Sequence, residues 1–67
     1  MKVYELINTN ESIGRVDIYN NASTYVATLK KKDFKSKEYI DLLIKEVERW
    51  YIASITVEKT TIAIYIS

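Results

Sequence analysis

The sequence predicts one small α+β domain over residues 1–67, with a single amphipathic helix packed on one face of an antiparallel sheet. Three observations carry this expectation. Asn-rich punctuation divides much of the chain into five short runs rich in β-branched and aromatic residues. The segment Ser36–Tyr51 shows helical periodicity instead. Finally, the hairpin registers that give each strand one apolar face agree with one another. The expected order along the chain is β-β-β-α-β-β, and the favoured order across the sheet is 3-2-1-5-4.

The first run is Lys2–Ile7, followed by the loop Asn8-Thr9-Asn10-Glu11-Ser12. The second and third runs, Ile13–Tyr19 and Ser23–Lys30, flank Asn20-Asn21, a two-residue turn in which Asn tolerates positive φ. Setting Tyr19 opposite Ala22 pairs Val16 with Tyr25 and Gly14 with Ala27 on one face, and Arg15 with Val26 on the other. Setting Ile7 opposite Ile13 places Glu5 across from Arg15, an opposite-charge pair. In the helical segment, Tyr39, Ile40, Leu43, Ile44, Val47, Trp50 and Tyr51 share an arc of about 140°, with charged residues behind them. Ser36 is the expected N-cap, and Asp33 the alternative one turn earlier. The last hairpin joins Ile52–Val57 to Thr61–Ile66 through a turn near Glu58-Lys59-Thr60.

Composition narrows the functional classes. The chain has no Cys and no His, so disulfides, thiol nucleophiles, Ser-His-Asp triads and ordinary zinc sites have no residues to build them. No cofactor and no metal site is expected. Ten basic residues oppose nine acidic ones for a net charge of +1, so global charge selects no partner. No basic n-region precedes an apolar run, and no apolar stretch reaches the roughly 18–20 residues that span a bilayer. The expectation is a cytoplasmic protein without a membrane partner. Gly14 is the only glycine and lies inside a strand run, so it marks close packing or a bulge rather than a phosphate loop. Glu38 and Asp41 are helical neighbours on the charged side, where a carboxylate lacks the burial that acid/base work requires. An enzyme is not expected.

Two surfaces remain. The sheet face away from the helix is expected to carry Val3, Glu5, Ile7, Ile13, Arg15, Asp17, Tyr19, Thr24, Val26 and Thr28, with Thr56, Thr61 and Tyr65 from the last hairpin where the sheet is continuous. Glu5, Ile13, Arg15, Asp17, Tyr19 and Val26 are the expected contact residues. Apolar and aromatic anchors beside Arg and polar neighbours are the makeup of a protein interface, although Val, Ile, Thr and Tyr are also favoured at exposed strand positions for their β-propensity alone. The second surface is Lys30-Lys31-Lys32-Asp33-Phe34-Lys35-Ser36-Lys37, where five lysines and one aspartate give +4. Lys30, Lys31, Lys32, Lys35 and Lys37 could meet phosphates while Phe34 stacks on a base. The plainer alternative is a solvated loop with Phe34 folded under the core.

Short chains rich in Lys, Ile, Asn and Tyr and lacking a catalytic site resemble the accessory proteins of phages and mobile elements, a class that includes anti-CRISPR and other anti-defence inhibitors. That resemblance implies a non-enzymatic protein that occludes a protein partner. The outer sheet face is the expected contact, with homodimerisation the close competitor. A small nucleic-acid-binding or regulatory protein using Lys30–Lys37 is the alternative.

Overall fold

The computed structural model describes all 67 residues and corrects the expected α+β meander to a mostly β architecture. Strands β1 (Ile13–Asn20), β2 (Tyr25–Lys30), β3 (Val47–Ile55) and β4 (Thr60–Ile66) form one sheet in the order β2-β1-β4-β3. The β1–β2 and β3–β4 pairs are antiparallel, whereas β1 and β4 run parallel in the middle. The order 3-2-1-5-4 and the all-antiparallel pairing are therefore both overturned. The reason is the loss of the first expected strand. Removing it brings the two hairpins directly together, and without its intervening reversal their junction becomes parallel.

Residues Val3–Ile7 form a short helix, α1, instead of a strand. Val3, Leu6 and Ile7 stand at i, i+3 and i+4, and all three are buried. Glu5 reaches back so that its Oε1 accepts the Lys2 backbone N–H at 2.9 Å, the Glu half of a capping box. That role replaces the expected pairing of Glu5 with Arg15. A five-residue helix is not stable alone, so its formation rests on tertiary contacts. The Val3 N–H donates to the Lys45 carbonyl at 3.0 Å, and the Val47 N–H donates to the Met1 carbonyl at 2.8 Å.

The expected helix over Ser36–Tyr51 is also corrected. Ser36 caps as anticipated, its Oγ accepting the Glu38 N–H at 3.2 Å. Beyond the cap, the chain makes only a 3₁₀ turn, Lys37–Tyr39, and one helical turn, α2, at Ile40–Leu43. The rest of the predicted arc is β3. Val47, Trp50, Tyr51 and Ile52 are β-branched or aromatic and favour extended backbone. Tertiary pairing decides the contest: as a strand this segment bonds to β4, which would otherwise be an edge carrying buried Ile62, Ala63 and Ile64. Three consecutive buried residues suit a central strand with a parallel neighbour.

The core lies between the sheet and the short helices. Val3, Leu6, Ile7 and Leu43 pack onto Ile13, Val16, Ile18, Leu29, Ile62, Ile64 and Ile66, with Phe34 and Tyr39 half-buried at the margin. Bulges decide which side chains reach it. Gly14 is unpaired between Ile13↔Thr60 and Arg15↔Thr61, so the odd-numbered Ile13 joins the even-numbered Val16 and Ile18 in the core. A Cβ on Gly14 would come within 2.8 Å of the Lys59 Cβ, which explains the glycine at this bulge. Val26 is likewise unpaired between Ile18↔Ala27 and Tyr19↔Tyr25. The expected register of Tyr19 with Ala22 is thereby replaced. The connecting turn is longer than two residues, with Asn20 Oδ1 accepting the Ala22 and Thr24 N–H groups and Ser23 at φ 65°.

Candidate functional site

The helices cover one side of the sheet and leave the other open. Cross-strand register arranges that open side into rows. The first row runs Arg49–Tyr65–Tyr19–Tyr25, and the second Tyr51–Ala63–Asp17–Thr28. A third places Ser54, Thr61, Arg15 and Lys30 side by side.

In the first row, Tyr19 and Tyr65 stack at 5.1 Å between centroids with 19° between their planes. Two nearly parallel rings at that separation cannot lie edge to edge, so they stand on the sheet and face each other. The Arg49 guanidinium sits 4.1 Å from the Tyr65 ring centroid and donates to Ser23 Oγ at 3.4 Å. Tyr25 closes the row edge-to-face on Tyr19 at 6.0 Å. The ring of Tyr65 thus has neighbours on both sides, Arg49 and Tyr19.

The second row is held by a polar relay. Asp17 Oδ1 accepts the Thr28 hydroxyl at 2.8 Å and Arg15 Nε at 3.2 Å. Because the Thr28 proton is committed to Asp17, the 2.7 Å contact between Tyr25 and Thr28 has the phenol as donor. Tyr51 lies beside Tyr65, with centroids 6.1 Å apart. Interaction with the Tyr65 hydroxyl favours the neutral phenol and raises the Tyr51 pKa above its ordinary value, and nearby Arg49 opposes this.

Of the residues assigned to this face from sequence, Arg15, Asp17, Tyr19, Thr28, Thr61 and Tyr65 are together on it, whereas Val3 and Ile7 are buried on α1. Ile13 is not on the face, because the Gly14 bulge turns it into the core. Glu5 is not, because it belongs to α1 on the opposite side. Val26 is exposed at the bulge on the outer strand. The sequence reading missed Tyr25, Arg49 and Tyr51. The alternation Arg49-Trp50-Tyr51-Ile52 was a period-two signal for the last two, masked by the helical arc. Tyr25 had no such signal, since only the bulge moves it to the open side.

The lysine segment divides. Lys31, Lys32 and Lys35 line a cleft of about 590 Å³ with Asn8, Asn10 and Glu11, whereas Lys30 and Lys37 lie outside it. All five lysines are exposed. Phe34 is half-buried, packing against the core while also lining that cleft beside the three lysines. Asp33 Oδ2 accepts the Lys30 N–H at 3.0 Å, which fixes the turn into this segment. Glu38 and then Asp33 hold the neighbouring Tyr39 phenol above its ordinary pKa, since a phenolate there would be repelled. Glu38 and Asp41 are exposed, and no three acidic side chains cluster to hold a metal.

No helix is long and apolar enough to cross a membrane. No protein-family model matches the chain, and no curated protein or solved structure matches it significantly.

Proposed function

We propose that the protein is a small non-enzymatic binding module that docks a protein partner on its open sheet face and acts by occluding that partner, as an accessory or inhibitor protein does. One observation supports this above all: the prearranged row Arg49–Tyr65–Tyr19–Tyr25 on a face that no helix covers. Tyr and Arg dominate the energetics of protein interfaces. Tyrosines already fixed by stacking lose little conformational entropy on binding. Upright rings engaged with one another favour a protein contact over base stacking, which needs a free ring face. The proposal places the protein in the cytoplasm, where a chain without Cys needs no oxidising environment.

The test is affinity capture from the native host followed by titration of the captured protein. Arg49→Ala and Tyr51→Ala alter exposed side chains of the face and should each weaken binding by about 2 kcal/mol, roughly 30-fold. Lys32→Ala and Lys35→Ala should leave affinity within a factor of two or so. Equal affinity for all four variants would overturn this reading. Loss confined to the lysine variants, with nucleic acid recovered and binding falling steeply with salt, would establish the alternative.

A further inference from the structure

A second surface, the outer edge of β3, which meets the open face at Tyr51, points to self-association. β3 is an edge strand, and the Met1–Val3 segment pairs only with its approach, at Lys45–Val47. From Glu48 to Ile55 its outer edge has no backbone partner. On the helix side of the sheet, Trp50 and Ile52 pair across to the buried Ile64 and Ile62, yet no helix covers them. They are 45% and 52% exposed, and Ile55 beyond them is 70% exposed. Unpaired edges are commonly blunted by lysine or proline. The opposite edge, β2, has a bulge at Val26 and ends in Lys30-Lys31-Lys32. β3 is bulged at Glu48 and Ala53, but the regular stretch between them carries Trp50, Tyr51 and Ile52, and Trp50–Ile55 contains no charged residue.

We propose that β3 pairs antiparallel with β3 of a second copy, joining two four-stranded sheets into one of eight. The strand is its own complement. Pairing about Tyr51 sets Trp50 against Ile52 twice on the helix side and Tyr51 against its counterpart on the open side. The pairing is confined to the regular stretch between the bulges at Glu48 and Ala53, where Arg49 is the only charged residue and meets no like charge. The area fits a weak, concentration-dependent dimer. With an aromatic side chain offering about 150–250 Å², Trp50, Tyr51, Ile52 and Ile55 expose on the order of 400 Å² per copy. Two copies would bury at most about 800 Å², below the roughly 1,000 Å² of stable interfaces and in keeping with dissociation on dilution. A separate protein's strand would match the edge hydrogen bonds but has no such built-in complement for Trp50 and Ile52.

Trp50 is the only tryptophan and therefore reports directly on this contact. Sedimentation equilibrium of the full chain, from micromolar to sub-millimolar concentration, should show a species of twice the 7.8 kDa chain mass that dissociates on dilution. Trp50 emission should shift to the red as the chain is diluted over the same range. Ile52→Lys should remain monomeric at every concentration with unchanged far-UV circular dichroism, and Val26→Lys on the opposite edge should dimerise like the parent. A parent chain that stays monomeric with constant emission would overturn the proposal. So would an Ile52→Lys variant that dimerises normally, because the contact would then lie elsewhere. If Ile52→Lys fails to fold, the emission of the parent chain on dilution decides the matter by itself.

Discussion

Tyr51 shows how much a single hydroxyl can set on the open face. Its phenol is raised by Tyr65, which accommodates a neutral neighbour and disfavours a charged one. A raised pKa in the folded chain means that the folded state holds the proton more tightly than the unfolded state. The associated stability is therefore complete below the ordinary phenol pKa of about 10 and is lost as pH rises through the higher folded value. Alkaline absorbance titration should show a late-ionising tyrosine component. Tyr65→Phe, which removes the hydroxyl and keeps the ring stacked on Tyr19, should move part of that component to lower pH. The part belonging to Tyr39 should stay, because Glu38 and Asp33 cause it. A late component that stays at the same pH, with only one phenol's amplitude lost, would show that Tyr65 is not the cause.

At the scale of the element, the bulges explain both what the sequence disclosed and what it concealed. Alternation along Val16-Asp17-Ile18-Tyr19 was legible, because an eight-residue strand of β-branched and aromatic residues has one way to bury a face. The same counting failed at Ile13, since one unpaired residue at Gly14 reverses parity. It failed again at Tyr25, beyond the bulge at Val26. Val3, Leu6 and Ile7 were equally compatible with a short helix, and the missed signal was Glu5 three residues after Lys2. If the Gly14 bulge depends on close approach to Lys59, Gly14→Ala should destabilise the fold by about 1–3 kcal/mol through that clash. Chemical denaturation measures this directly, and an unchanged midpoint would mean that the Lys59 backbone yields freely. The candidate face was legible for β1 and, at Thr28, Thr61 and Tyr65, for its neighbours β2 and β4; Arg49 and Tyr51 were hidden because a helical arc and a strand both fit residues 47–52, and β4 decides between them.

For the molecule as a whole, the small core sets the margin. Twelve residues are buried, all of them apolar. A chain of this length has a total stability of roughly 3–10 kcal/mol. Replacing a fully buried branched side chain in the middle of the sheet removes about 2–5 kcal/mol. Ile64→Ala should therefore remove a large share of the total stability and lower the thermal midpoint by roughly 10–30 °C, as a melt followed by circular dichroism would show. A melt displaced by only a few degrees would mean that the core tolerates the cavity by collapse. The overall topology was not legible for a related reason: five strand signals and one helix signal satisfy many arrangements, and only long-range burial of Ile62, Ala63 and Ile64 selects this one.

The parallel pairing of β1 with β4 has a consequence for how the chain reaches its native state. Each hairpin closes locally, but the seam between them joins residues more than forty positions apart, from Ile13↔Thr60 to Asn20↔Ile66. Neither half can complete its hydrophobic layer until that distant partner arrives, and the entropy of closing so large a loop must be met before the contacts form. The β1–β2 hairpin therefore stays incompletely covered until β4 is available, so pairing across this seam should be the slow step of folding.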